Sequence, residues 1–172
     1  MGDKTVAVID SGYGDAMANA MLERIGHVTD RPVHYVVNTN SQPHHILGNA
    51  TFRAGGAEIM AAAEAAPRIA GEGAAMAGTA QGTLGLPPGS IQVPGAPEHM
   101  IQGTAELDLG GVTLRVIPVG TAHTAGSLIV EVVEDKVIFA GDVLYAGRLL
   151  AVLPVSRVDC QRRSESVGRL AV

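Results

Sequence analysis

The stretch Val36 to Phe52, V-V-N-T-N-S-Q-P-H-H-I-L-G-N-A-T-F, constrains this chain more than any other. An apolar run leads into a short polar loop, two adjacent histidines follow, and apolar residues return after Gly48-Asn49. That is the pattern of a buried strand leaving through a loop and entering a helix. Neutral imidazoles suit zinc and similar ions, and carboxylates complete such sites. Adjacent side chains diverge, so His44 and His45 can face one site only from irregular backbone. From regular backbone one points in and the other out.

The rest of the chain supplies a frame for such a loop. Thr5 to Asp10 (T-V-A-V-I-D) reads as a buried strand and Ser11 to Gly14 as a turn. Asp15 to Ile25 has Met17, Ala20, Met21 and Ile25 at helical spacing, with Gly26 to end the helix. Val33 to Asn38 is the second strand. A helix is expected from the His44-His45 pair to about Arg53, then a short strand at Ala57 to Met60. This alternation marks an α/β fold. Met60 to Gly85 is Ala-rich but interrupted by Pro67, Gly71, Gly73 and Gly78, which predicts broken helices. Leu86 to Met100 holds four prolines and reads as an extended seam between two halves. From Thr104 the period changes to two. Strands at 104–109, 112–119, 127–133 and 137–140, with Gly110-Gly111 and Glu134-Asp135-Lys136 as turns, predict an antiparallel sheet.

Composition narrows the function. The 172 residues are 47% hydrophobic and 17% charged, which fits one globular domain over 1–172 with a core of Ala, Val, Leu, Ile and Met. The net charge of −5 and the absence of a basic stripe argue against nucleic acid as a partner. No apolar run approaches the ~20 residues of a membrane span. No secretion signal is visible before the first strand, so a cytoplasmic location is the default expectation, with a mature periplasmic form as the alternative. Cys160 is the single cysteine and has no histidine near it in sequence, so a passive thiol is expected.

Three further residues have the chemistry to join the His pair. His123 sits between glycines in G-T-A-H-T-A-G. Asp142 follows V-I-F-A-G, and Asp10 follows V-A-V-I. A carboxylate just past a buried strand is expensive unless paired, hydrogen-bonded or metal-bound. Each also has an ordinary reading: a loop histidine as a structural residue, a strand-end Asp as a turn former or helix cap. His27, His34 and His99 lack any such context and read as structural.

Taken in order, V-I-D-S-G, V-V-N-T-N-S-Q-P-H-H-I-L-G-N, G-T-A-H-T-A-G-S and F-A-G-D-V-L-Y-A-G-R resemble the metallo-β-lactamase-fold hydrolase superfamily, in particular the bacterial group related to the lactamases and the glyoxalase-type thioesterases. The resemblance runs from Val6 to about Arg148. It implies an αββα sandwich, here incomplete at both ends, with an irregular tail at 158–172. The family signature His-x-His-x-Asp-His falls on Asn40, Gln42, His44 and His45. The family's first metal site would use the two leading histidines and His123, and its second the Asp and His of the signature with a late histidine. Asp142 matches the bridging Asp, and Asp10 matches a supporting residue. Asn40 and Gln42 therefore replace two ligands, His44 replaces the Asp, and no histidine follows His123.

The resemblance implies a reduced metal site. At most one zinc or other divalent transition metal ion would sit on His45, His123 and Asp142, with His44 as fourth ligand or base. Asp142 and His44 would then be the catalytic groups in hydrolysis of an ester, thioester, lactone or lactam bond in a small molecule. The alternative is a non-catalytic homologue without metal, binding a ligand or partner through the same polar residues. A chain short at both ends would also favour self-association into a homo-oligomer.

Overall fold

The computed structural model describes residues 1–145. The tail at 158–172 and Cys160 lie outside the described residues. The described chain runs β1 (Val6–Ile9), α1 (Asp15–Gly26), β2 (Val33–Asn38), α2 (Pro43–Ile46), α3 (Asn49–Ala54), β3 (Glu58–Ala62), α4 (Ala66–Leu84), β4 (His99–Ile101), β5 (Ala105–Asp108), β6 (Thr113–Gly120), β7 (Ser127–Val132) and β8 (Val137–Phe139). A 3-10 turn, Gly141–Val143, follows.

The strands form two four-stranded sheets. The first has the order β1-β2-β3-β4 with all neighbours parallel, and the second has the order β5-β6-β7-β8 with all neighbours antiparallel. Parallel strands are covered on both faces. Adjacent residues Val36 and Val37 of β2 are both fully buried, but they enter different cores. Val36 packs with Ala18 of α1, Phe52 of α3 and Ile59. Val37 packs in the core that joins the inner faces of both sheets, which includes Leu114, Val116, Leu128 and Val130 and is completed by Ile69, Met76, Ala77 and Ala80 of α4. The result is the expected α/β sandwich of two sheets with helices against them. On the outer face of the second sheet, Arg115 bridges Glu106 at 3.0 Å and Glu131 at 2.7 Å.

Four local expectations are corrected. The Ala-rich stretch is one 19-residue helix, α4, and not a set of broken helices. Pro67 sits in its first turn, where a missing N–H is no loss. Gly73 is needed for contact: a Cβ there would meet Pro94 Cγ at 2.8 Å. The helix expected from His44 to Arg53 is two short helices separated at Leu47-Gly48. A side chain on Gly48 would collide with the Ser11 carbonyl oxygen, so the close approach of β1's end breaks the helix there. The Pro-rich segment does not separate the halves. It leads back into β4, which pairs with β3 and completes the first sheet. Finally, β8 is not buried: among the described residues it stands last in the order of the second sheet, and Val137, Ile138 and Phe139 are all exposed.

Candidate metal centre

β1 and β2 are parallel neighbours, so their C-terminal ends deliver Asp10 and Thr39 to one place. Asp10 adopts the left-handed backbone conformation at φ 63°, which Asp tolerates better than most residues. Its Oδ1 accepts the Thr39 backbone N–H at 2.7 Å, and its Oδ2 accepts the Thr39 hydroxyl at 2.8 Å. The same Oδ2 lies 2.8 Å from His45 Nδ1. A carboxylate accepting the Nδ1 proton fixes the imidazole and turns Nε2 into the site.

His45 is also held through its backbone. Its carbonyl oxygen accepts the Ser11 N–H at 2.8 Å, the Ser11 hydroxyl at 3.0 Å and Asn38 Nδ2 at 2.9 Å. Asn38 and Asn49 exchange two amide hydrogen bonds, 3.1 and 2.8 Å, in a buried setting. Sequence reasoning missed Ser11, Thr39, Asn38 and Asn49 as supports of the loop, although all four lie inside the motifs that carry the resemblance.

Asp142 arrives from the opposite sheet on the turn after β8. Gly141 allows that turn to press on the loop: a Cβ there would lie 2.5 Å from Thr39 Oγ1. Asp142 Oδ2 then stands 2.8 Å from His45 Nε2, 3.4 Å from His44 Nε2 and 3.7 Å from His123 Nε2. Its Oδ1 accepts the Tyr145 hydroxyl at 2.9 Å, another contact that the sequence reading did not single out.

The structure thus gathers His44, His45, His123 and Asp142 around one point, with Asp10 behind His45. Short α2 solves the problem of adjacent histidines: both rings approach Asp142, their centroids 4.0 Å apart. His45 is buried and His44 is half exposed. Asn40 is in the site as well, and its Nδ2 donates to Asp142 Oδ2 at 3.1 Å. Gln42 contributes its backbone, whose N–H donates to Asn40 Oδ1 at 2.8 Å. The other histidines stand elsewhere: His99 pairs with Glu58, His34 packs on Tyr35 and His27 faces Glu23.

The electrostatics follow from these contacts. Burial pushes the His44 imidazole below its ordinary 6.5, and the adjacent His45 adds to that against the pull of Asp142. In His45 burial works in the same direction, but the hydrogen bond and charge of Asp10, then those of Asp142, hold it above 6.5. Burial also opposes charge on Asp142, yet the His45 and Tyr145 hydrogen bonds keep its carboxyl below 3.8.

Does this set suit a metal ion? One ligand atom each from His44, His45 and Asp142 lie within 4.8 Å of one another. Two imidazoles and a carboxylate are the donors that zinc-like ions take. His123 is buried beside them, and its Nδ1 has no hydrogen-bond partner among the described residues. The donor chemistry fits one ion at the tip of the loop.

Two stacked sheets with a His/Asp cluster at their strand ends define an α/β sandwich that carries a candidate metal-binding group. A family model of the metallo-beta-lactamase superfamily matches residues 2–169, and the chain belongs to that superfamily. Among solved structures it is similar to a metallo-beta-lactamase from Pontibacter korlensis, with a TM-score of 0.73 and 18% identity over 99% of this chain and 70% of that one. It is also similar to a Cronobacter sakazakii metallo-beta-lactamase with a HARLDQ motif, with a TM-score of 0.67 and 24% identity over 96% and 64% of the two chains. Among curated proteins, an acyl-coenzyme A thioesterase, MBLAC2 of Gallus gallus, is 35% identical over 81 residues. That match covers 44% of this chain and 29% of the relative's length.

Proposed function

We propose that this protein is a metal-dependent hydrolase with a single-ion site formed by His44, His45 and Asp142, with His123 alongside, acting on a small-molecule thioester, ester, lactone or lactam. The convergence of three donors within 4.8 Å carries the proposal. The similarity to an acyl-coenzyme A thioesterase makes an acyl thioester the first substrate to try.

A bound zinc-like ion supplies a Lewis acid and lowers the pKa of a water toward ~7. The chain's own residues do the rest. Asp10 keeps His45 Nε2 aimed inward. Asp142 is held between Tyr145 and the His45–Asn40 side, so its carboxylate does not turn. His44 stands at the solvent edge of the site, where burial and the adjacent His45 favour its neutral form, the form in which an imidazole can act as a ligand.

Metal content of protein purified without added zinc, with Co2+ titration and thioester hydrolysis before and after, tests this. The expected result is close to one equivalent of metal and activity that chelation removes. Less than about a tenth of an equivalent with no uptake on titration overturns it, since a folded site of this kind saturates near one.

One observation favours a second reading, a non-catalytic homologue that binds a ligand without metal. Asp142 finds partners for both oxygens within the protein itself. The double variant Asn40→His with Gln42→His separates the two. Metal binding and esterase activity that appear only in the double variant favour the non-catalytic reading. Activity already present in the unaltered protein excludes it.

A further inference from the structure

Asn40 stands at a position where the superfamily signature places a metal ligand, yet it is built into the site in a way that no ligand would be. Its Oδ1 is taken by the backbone N–H of Gln42 at 2.8 Å. That bond fixes which end of the amide faces where, because only the oxygen accepts. Nδ2 is therefore the end turned to Asp142, 3.1 Å from Oδ2. An amide nitrogen carrying two protons is no ligand for a cation. It is a donor to a carboxylate.

The surroundings reinforce this orientation. Asn40 is 1% exposed, so the amide has no solvent to turn toward. The turn carrying Asp142 is pressed onto the same loop at Gly141 and Thr39, where no side chain would fit. On the far side of Asp142, Tyr145 donates to Oδ1 at 2.9 Å. The carboxylate is thus gripped by a neutral donor at each oxygen before any ion arrives.

We infer that Asn40 is a positioning residue for Asp142: it fastens the carboxylate across the interface of the two sheets and presents a donor where a second ion would need an acceptor. The inference deepens the single-ion reading above and, as far as metal binding is concerned, rests on it. The contact between Asn40 and Asp142 does not. Two consequences follow. The centre is limited to one ion, on the His44–His45 side. Its geometry is also set in the metal-free protein.

The test uses the full chain and two variants, Asn40→Asp and Asn40→Leu, with thermal melting in chelator and Co2+ binding by calorimetry. Asn40→Asp keeps the shape and the bond from Gln42 but faces Asp142 with a second carboxylate. It is expected to melt lower than the unaltered protein in chelator and to bind Co2+ about tenfold more tightly, since an added anionic donor favours the cation. Asn40→Leu keeps the branched outline in a bulkier form and removes the donor to Asp142 together with the acceptor used by Gln42. It is expected to weaken Co2+ binding by about 10- to 100-fold, the usual effect of losing a group that orients a ligand. Asn40→Asp melting with the unaltered protein in chelator overturns the inference, because the amide then does not face Asp142. So does Asn40→Leu binding Co2+ with unchanged affinity. If the unaltered protein takes up no Co2+ at all, the single-ion reading fails. The melting comparison in chelator still decides whether Asn40 holds Asp142.

Discussion

His45 Nδ1 in α2 lies 2.8 Å from Asp10 Oδ2 just past the end of β1, and this contact sets the direction of the whole centre. Asp10 reaches it from a left-handed backbone conformation. Asn tolerates that conformation about as well as Asp, so Asp10→Asn removes the charge without adding backbone strain. Expected is a loss of Co2+ affinity of about 10- to 100-fold, with the ring freed to turn. Calorimetric titration measures it. An affinity within experimental error of the unaltered protein would show that Asp10 does not orient His45.

The pair of buried amides, Asn38 and Asn49, predicts a strongly non-additive response. Each single change to Ala leaves its partner's amide unsatisfied in a buried setting, at a cost of about 1–3 kcal/mol. Changing both removes the unmet partner, so the double variant should lose less than the sum of the two. Urea denaturation of the three variants closes the cycle, and simple additivity would be the contrary result.

Glycines along α4 should divide into two kinds. Gly71 and Gly78 have open space where a Cβ would go, so Gly71→Ala and Gly78→Ala should each stabilise by roughly 0.5–1 kcal/mol through better helix propensity. Gly73 faces Pro94, and Gly73→Ala should destabilise by about 1–3 kcal/mol through overpacking. Thermal or chemical melts will rank them. A stabilising Gly73→Ala would mean that the Pro-rich segment yields to α4 instead of packing on it.

Away from the centre, Glu98 gives the protein an acid-dependent element of stability. Burial alone would raise its carboxyl, but hydrogen bonds from Arg53 and from the Ile59 N–H hold it below the ordinary 4.5. A lowered pKa means that the folded state binds the proton less well than the unfolded chain. The stabilisation is therefore complete above 4.5 and fades as the pH falls through the lower folded value. Both side chains keep solvent contact, so the pair is worth only about 0.2–1 kcal/mol. Glu98→Gln should melt lower than the unaltered protein near neutral pH, and the gap should close in the acid range. A gap constant with pH would assign the effect to packing.

Much of this architecture is legible in the residues. The β-branched runs of β1, β2, β6 and β7 announce strands, and the change from helix-strand alternation to period two at Thr104 separates the parallel sheet from the antiparallel one. His44, His45 and Asp142 stand out because imidazoles after a strand and a carboxylate after Gly are costly placements that invite partners. What is hidden is whatever depends on distant approach. Asn40 and Asp142 are 102 positions apart, and nothing local in either segment shows that they meet. Gly73 looks like a helix breaker until Pro94 is seen against it. Gly48 looks like an interruption without purpose until the Ser11 carbonyl is placed there. β8 reads as buried from its apolar side chains alone, and only its place at the end of the order of the described strands shows them exposed.

The three donors that converge on the His45 carbonyl come from two separate places, the end of β1 and the end of β2, with α3 bracing the second through Asn49. Such a knot has no way to loosen piecemeal, since releasing the loop means parting strands that share a core. The amide of Ser11 should therefore exchange with solvent deuterium only when the entire first sheet opens, although it lies in a turn next to the centre. Any freedom at the centre then falls to the opposite rim, where the His44 ring stands half exposed.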